Sequence, residues 1–291
     1  MYRRKEGRPP APQSEMTIRR AAVAGSWYPG APAAIAAEVE SYLAAASPPP
    51  VPGRLVALIS PHAGLRYSGP VAAHGYGLLR GRPVLTVVLV GPSHRAAFDG
   101  VAIHARGAFE TPLGRVPIAE DVAAALLEAG PVLVDDPLVH RDEHSLEMQL
   151  PFLQHVVGDL RLVPILMGSQ SRREADALAE ALARGLAGRE VLLVASSDLS
   201  HYHPAPVANR LDAVVTDCVE RFDPEGLMDR LERHHDSACG GGPMVAVMKA
   251  AKSLGADKAT ILRYADSGDA GEHDKSRVVG YLSAAFSATT S

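Results

Sequence analysis

Four short apolar runs, each followed by a turn, constrain the fold of this 291-residue chain more than any other feature. They read LVALIS, VLTVVLV, LRLVPILM and VLLVAS, at residues 55–60, 84–90, 160–167 and 191–196. Continuous apolar runs that alternate with helical stretches are typical of strands buried on both faces, as in parallel sheets covered by helices. The pattern therefore predicts a single α/β domain with a mostly parallel central sheet flanked by helices.

The predicted domain covers residues 18–288. The preceding tail, residues 1–17, is rich in proline and basic residues, and we expect it to be disordered. Further predicted elements are a helix at 32–46, a β-ribbon at 101–118, a helical stretch at 244–254, and strands at 260–264 and 276–286.

Charge and composition exclude several classes of protein. The formal net charge is -4, and the only dense basic group lies in the tail, which argues against binding to nucleic acid. No run approaches the ~18 apolar residues of a membrane span, so we expect no membrane partner. Two cysteines make no disulfide framework, and a reducing cytoplasm is the expected location.

Titratable side chains follow three of the four predicted strands. His62 lies two residues beyond the first run, and His94 lies four residues beyond the second. Asp198 and His201 follow the fourth run. Ligands of open α/β sheets bind beyond the carboxyl ends of the strands, where such side chains meet. Because imidazole nitrogens suit zinc, copper, nickel and iron, the pattern predicts a metal site with two histidine ligands.

The residues alone leave the third, anionic ligand open among Asp198, Cys239, Glu143 and Glu147. Cys239 lies in the segment SACGGGPM, just before an apolar helical stretch. A thiol near a helix N-terminus is expected to have a lowered pKa, and the glycines allow close approach of the backbone. A thiolate ligand would favour zinc, copper or iron over magnesium or calcium.

The segment DEHSLEMQLPF contains Glu143, His144 and Glu147, whose role the sequence leaves open. These residues either support the metal ligands from behind or begin a helix whose dipole favours acidic residues in its first turn.

An ordered series of motifs resembles the Memo-like family, whose prokaryotic members are also called AmmeMemoRadiSam system protein B. The resemblance extends from about residue 19 to residue 286. The motifs are WYPG (27–30), PHAG (61–64), YSG (67–69), GPSH (91–94), ETPLG (110–114), DEHSLEMQLPF (142–152), SSDLSH (196–201) and ACGGGP (238–243).

The resemblance implies a fold similar to that of class III extradiol ring-cleavage dioxygenases, which hold Fe(II) with two histidines and a glutamate. Memo-like proteins resemble these enzymes with a cysteine in place of that glutamate. On this sequence the implied metal ligands are His62, His94 and Cys239. The implied acid/base residue is His201, with Asp198 beside it.

Three functions remain open at this point. The first is a metal-dependent redox enzyme or dioxygenase-like protein, with Fe(II) expected and copper or zinc as alternatives. Its substrate would be a small molecule whose identity the sequence leaves open, with a phenolic compound as one candidate. The second is a metal-free thiol hydrolase with Cys239 as nucleophile, His201 as base and Asp198 as its orienting group. The third is a non-catalytic metal-handling protein. The family name also implies protein partners of the AmmeMemoRadiSam association.

This sequence differs from its relatives at one position of the motifs. It has Gln149 where relatives tend to have histidine.

Overall fold

A nine-stranded sheet forms the centre of the fold in the computed structural model of this chain. The structure describes residues 18–83, 86–234, 236–270 and 274–289, so the predicted tail at 1–17 lies outside the described residues. Within those ranges the chain forms twelve strands and eight α-helices.

The strands are β1 Ile18–Arg19, β2 Arg54–Ser60, β3 Thr86–Pro92, β4 Val101–Ile103, β5 Ala108–Thr111, β6 Gly114–Pro117, β7 Leu133–Asp135, β8 Arg161–Met167, β9 Leu192–Ser196, β10 His201–His203, β11 Lys258–Asp266 and β12 Val278–Ala288. The α-helices are α1 Pro32–Ala45, α2 Leu65–Gly77, α3 Glu120–Ala129, α4 Leu150–Val156, α5 Arg172–Gly185, α6 Ala205–Glu220, α7 Pro224–Arg233 and α8 Gly241–Ser253. Short 3₁₀ helices occupy Pro137–His140, Glu147–Gln149 and Ser267–Asp269.

The central sheet is mixed, with a parallel middle. Its order is β10-β12-β2-β9-β3-β8-β4-β7, and β11 pairs with β12. The neighbours β2, β9, β3 and β8 are parallel, whereas β12 joins β2 and β4 joins β8 in antiparallel pairs. The predicted α/β domain is confirmed, and the antiparallel strands on both flanks add to the parallel centre that the apolar runs predict.

The four apolar runs form this parallel centre, except that residues 84–85 of the second run lie outside the described residues. Every residue of β3 and β9 is buried, β2 is buried except at its first two residues, and β8 is buried except at its first. One group of packed helices consists of α3, α5, α7 and α8, and α8 contacts β2, β3 and β9. A second group consists of α1, α2 and α4, and α2 contacts β2 and β12. Strands that are covered on both sides have no polar face, which explains why apolar and polar residues do not alternate along these runs.

A second, small sheet forms at the predicted ribbon. Strands β5 and β6 make an antiparallel hairpin, and β1 adds to β5 in a parallel pair, with Ile18 opposite Ala108. Strand β4, from the start of the predicted ribbon, joins the central sheet instead.

One buried carboxylate holds the N-terminal segment against the domain. Glu147 is fully buried and pairs with Arg19. It also accepts hydrogen bonds from the backbone N–H groups of Ala22 at 2.8 Å and Val23 at 3.1 Å, and from the Tyr28 hydroxyl at 2.6 Å. These bonds occupy both carboxylate oxygens, so Glu147 stabilises the fold by holding the N-terminal segment in place.

We expect Tyr28→Phe to lower the free energy of unfolding by about 2 kcal/mol, because it removes a buried hydrogen bond to a charged group. Urea unfolding measures this change. The matched control is Tyr42→Phe, which removes a 2.8 Å bond to Glu38 from a partly buried tyrosine and should cost less than about 1 kcal/mol. Equal losses in the two variants would contradict the structural role given to Glu147.

Candidate metal centre

Three adjacent strands bring the predicted site residues to one edge of the sheet. His62 lies two residues beyond β2 and His94 two beyond β3, while Asp198 and His201 follow β9. Since β9 lies between β2 and β3 in the sheet, all these residues come from neighbouring carboxyl ends. The topology thus produces the convergence that the sequence pattern predicts.

Three imidazoles meet at this edge. His62, His94 and His144 each offer a ligand atom, and these atoms all lie within 4.8 Å of one another. The ring centroid of His94 lies 5.2 Å from that of His62 and 4.7 Å from that of His144, which also contacts Trp27. Nitrogen donors at such separations can share one metal ion after small rotations of the side chains, because metal–nitrogen bonds are about 2.0–2.1 Å long.

Cys239 reaches the same edge from the loop before α8. Its Sγ lies 3.2 Å from Nε2 of His62 and 3.3 Å from the backbone nitrogen of Asp198. The approach depends on Gly240, because a Cβ there would lie 2.4 Å from the carbonyl oxygen of Ser196. Two donors on one tetrahedral ion are separated by about 3.5 Å, so the thiol and His62 are spaced as neighbouring ligands.

Glu143 determines which nitrogen of His94 is free. Its carboxylate accepts backbone N–H bonds from His94, Arg95 at 3.2 Å, His144 at 2.9 Å and Ser145 at 2.9 Å. It also contacts Nδ1 of His94 at 3.0 Å. Although burial opposes its ionisation, the His94 and Ser145 bonds hold the pKa of Glu143 well below its usual range. A carboxylate can only accept, so Nδ1 of His94 carries the proton and Nε2 is left for a metal.

Burial keeps the other two imidazoles neutral, as metal ligands must be. It lowers the pKa of His62 well below 6.5, and the nearby His94 and His144 rings act in the same direction. Burial also lowers the pKa of His144, to about 4, against the opposing effect of Glu143.

The expectation of a lowered pKa for Cys239 was wrong. Burial raises the pKa of this thiol, and the carboxylate of Asp198 raises it further. The helix N-terminus that motivated the expectation is present, since α8 begins at Gly241, but desolvation of the thiolate outweighs it. Without a metal ion the group is therefore a neutral thiol at neutral pH.

The two predicted catalytic residues lie beside this cluster. The Asp198 carboxylate accepts backbone N–H bonds from His62 at 2.7 Å and Ala63 at 3.3 Å. Burial raises its pKa to about 7 in spite of these bonds. His201 is half-buried, interacts electrostatically with His62 and His94, and has its pKa lowered mainly by burial. The Sγ atom of Cys239 has His62 and Asp198 as its hydrogen-bond partners among the described residues. The catalytic roles of His201 and Asp198 stay predictions.

The structure separates the three residues of the DEHSLEMQLPF segment whose roles the sequence left open. Glu143 orients His94, and His144 belongs to the imidazole cluster, whereas Glu147 binds the N-terminal segment. Sequence reasoning did not place His144 in this cluster, because no strand end precedes it. Its position next to Glu143, in a segment rich in titratable residues, was the sequence signal that could have identified it.

Metal affinity should depend on pH through Cys239. Because its thiol is protonated at neutral pH, a metal that binds the thiolate displaces one proton. The dissociation constant should then fall about tenfold for each unit of rising pH, beyond any slope that the other groups produce. His62 and His144 are already neutral above pH 6 and add little. A competition titration between pH 6 and pH 8 should show this extra slope in the wild type and its loss in Cys239→Ala; identical slopes would exclude thiolate ligation.

Comparison with known proteins establishes the family. The model of the Memo-like protein family matches residues 19–285. The chain belongs to the Memo-like family. A MEMO1 family protein of Methanopyrus kandleri is 39% identical over 281 residues, covering 92% of this chain and 98% of that protein. A MEMO1 family protein of Methanothermobacter thermautotrophicus is 36% identical, covering 91% and 98%. The resemblance stated from the motifs is confirmed.

A solved structure supports the fold of this Memo-like chain. The crystal structure of an uncharacterized protein from Escherichia coli K12 matches with a TM-score of 0.53, covering 79% of this chain and 99% of that one. The two sequences are 18% identical, so the match concerns architecture alone. In the described residues, every helix is too short or too polar to span a bilayer.

Proposed function

We propose that this Memo-like protein binds one transition-metal ion through His62, His94 and Cys239 and acts as a dioxygenase-like redox enzyme. The observation that carries the proposal is the shared position of these donors. Sγ of Cys239 lies 3.2 Å from Nε2 of His62, and the ligand atoms of His62, His94 and His144 lie within 4.8 Å of one another. His144 offers a further donor for the same ion.

The donor set narrows the choice of metal. Imidazole and thiolate together suit iron, copper and zinc, and exclude the hard cations magnesium and calcium. We propose Fe(II) as the resident ion, with copper or zinc as alternatives. A bound iron or copper ion would supply one-electron and oxygen chemistry, which side chains alone lack.

The residues around the centre would orient the ligands and move a proton. Glu143 holds His94, and the Asp198 carboxylate fixes the backbone that carries His62. His201 is partly open to solvent, and burial keeps its imidazole neutral near pH 7. It can therefore accept a proton from a weakly acidic substrate such as a phenol. Small phenolic compounds are the first substrates to assay.

A metal-free thiol hydrolase is less consistent with this geometry. That mechanism needs a reactive thiolate and a base beside it. Burial raises the pKa of Cys239 and lowers that of its neighbour His62, so both groups favour their neutral forms. Transfer of the thiol proton to His62 would create two charges in a buried site.

The proposed function is tested by adding nitric oxide or azide to protein loaded with Fe(II) without oxygen. An enzyme keeps an open coordination position, so we expect a change in the electronic spectrum of the metal. A bound ion whose spectrum does not respond would contradict the redox-enzyme function and favour metal handling. A rapid reaction of Cys239 with iodoacetamide in chelated protein would instead support the hydrolase.

A further inference from the structure

A buried polar chain runs behind His62, on the side away from Cys239. It leads from the Tyr76 hydroxyl through the Gln149 amide and the Ser196 hydroxyl to Nδ1 of His62. Tyr76, Gln149 and Ser196 are fully buried and His62 is 2% exposed, so water does not compete for these hydrogen bonds. The direction of each bond is fixed by chemistry, starting from two backbone carbonyls that can only accept.

The first carbonyl fixes the Gln149 amide. Nε2 of Gln149 lies 3.0 Å from the carbonyl oxygen of Pro61 and must donate to it. The opposite orientation would set two acceptors against each other in a buried site. With the amide in this orientation, Oε1 accepts from the Tyr76 hydroxyl at 2.6 Å, and the second N–H of Nε2 donates to Oγ of Ser196 at 2.8 Å.

The second carbonyl fixes the Ser196 hydroxyl. Oγ of Ser196 lies 2.7 Å from the carbonyl oxygen of Ser145 and gives its single proton to it. Its lone pairs then face Nε2 of Gln149 and, at 2.9 Å, Nδ1 of His62. Since the only proton of the hydroxyl is already used, Nδ1 of His62 has to be the donor.

We propose that Gln149 and Ser196 form a relay that holds the proton of His62 on Nδ1 and leaves Nε2 bare toward Cys239. Gln149 is a positioning residue in this scheme, because it reaches His62 only through Ser196. The consequence for metal binding rests on the proposed function, whereas the assignment of the proton rests on hydrogen bonds of the metal-free protein. The proton of His94 is held on Nδ1 by the Glu143 carboxylate. The two histidines therefore adopt the same tautomer, one through neutral side chains and the other through a carboxylate.

The relay is tested first on the wild-type chain without metal. Histidine labelled with ¹⁵N allows each ring to be classified by the nitrogen that bears the proton, and His62→Ala identifies the signal among the 12 histidines. We expect the Nδ1–H form for His62. A ring protonated on Nε2, or an averaged mixture of forms, would overturn the proposal, whether or not the protein binds a metal.

The second measurement uses Gln149→Met and Ser196→Ala with Zn²⁺ alone as the probe. Ser196→Ala removes the hydroxyl that faces Nδ1 of His62 and should give a mixture of His62 tautomers, with a dissociation constant for Zn²⁺ that is about tenfold higher or more. Gln149→Met leaves the bond from Ser196 to the Ser145 carbonyl in place but removes another partner that holds this hydroxyl, so it should shift the tautomer and the affinity in the same direction by less. The control is Gln154→Met, which removes two bonds of a glutamine amide, to Thr111 at 2.6 Å and to the Gly114 carbonyl at 3.1 Å, away from the centre. Unchanged tautomer and affinity in folded Ser196→Ala would overturn the relay. Absence of Zn²⁺ binding in the wild type would count against the proposed function, and the tautomer measurement would still decide the relay.

Discussion

Replacement of Glu143 by alanine is expected to lower the free energy of unfolding by about 3–5 kcal/mol. The carboxylate accepts four backbone N–H groups and Nδ1 of His94, and its side chain is 1% exposed. Alanine would leave these donors buried without a partner, which costs more than the loss of the bonds themselves. Chemical denaturation of the metal-free variant measures the loss.

The same variant should bind metal about 10- to 100-fold more weakly, since His94 loses the group that fixes its tautomer and orientation. The control is Glu174→Ala, which removes a glutamate that is 8% exposed and pairs with a surface arginine, Arg173. It should leave metal affinity unchanged. A Glu143→Ala protein with wild-type stability and affinity would show that this carboxylate does not organise the centre.

Replacement of His94 by alanine is expected to weaken metal binding roughly 100-fold. The binding free energy of Zn²⁺ at a structural site with four ligands is about 10–16 kcal/mol, so each ligand contributes about 3 kcal/mol on average. His94 suits the test because its side chain is 29% exposed, and its removal should disturb the core little. Isothermal titration or competition with a chromophoric chelator gives the dissociation constant.

His155→Ala is the matched control for His94→Ala. His155 is 25% exposed and pairs with Glu40 at 2.8 Å, so it resembles the His94–Glu143 pair but lies apart from the cluster. This variant should keep wild-type affinity. Equal weakening in both variants would mean that the histidines act through stability, and an unchanged affinity in His94→Ala would remove His94 from the ligand set.

The strand-end part of the site could be predicted because it depends on local sequence alone. A buried apolar run places the residues that follow it at the carboxyl edge of the sheet, as seen for His62 after β2 and His94 after β3. The antiparallel flanks were harder to predict. β12 reaches its place beside β2 from the far end of the chain, and nothing in its own sequence specifies its partner.

The wrong expectation for Cys239 and the roles that the sequence left open both depend on long-range packing. The pKa of Cys239 depends on how deeply the loop before α8 is buried, which the local glycines do not reveal. Glu147 and Glu143 look equivalent in sequence, yet one binds the N-terminal segment and the other binds His94. The role of Gln149 likewise emerges only when Pro61 and Ser196 are seen beside it.

The most direct test of the metal centre is the metal content of protein purified without oxygen and without an affinity-metal column, measured by elemental mass spectrometry. The wild type, Cys239→Ala, His94→Ala and the control His155→Ala should be prepared in parallel. We expect close to one iron or copper ion per wild-type and His155→Ala chain, and strong loss in the other two variants. Wild-type protein that stays metal-free after Fe(II), copper and zinc are each offered would contradict the metal centre.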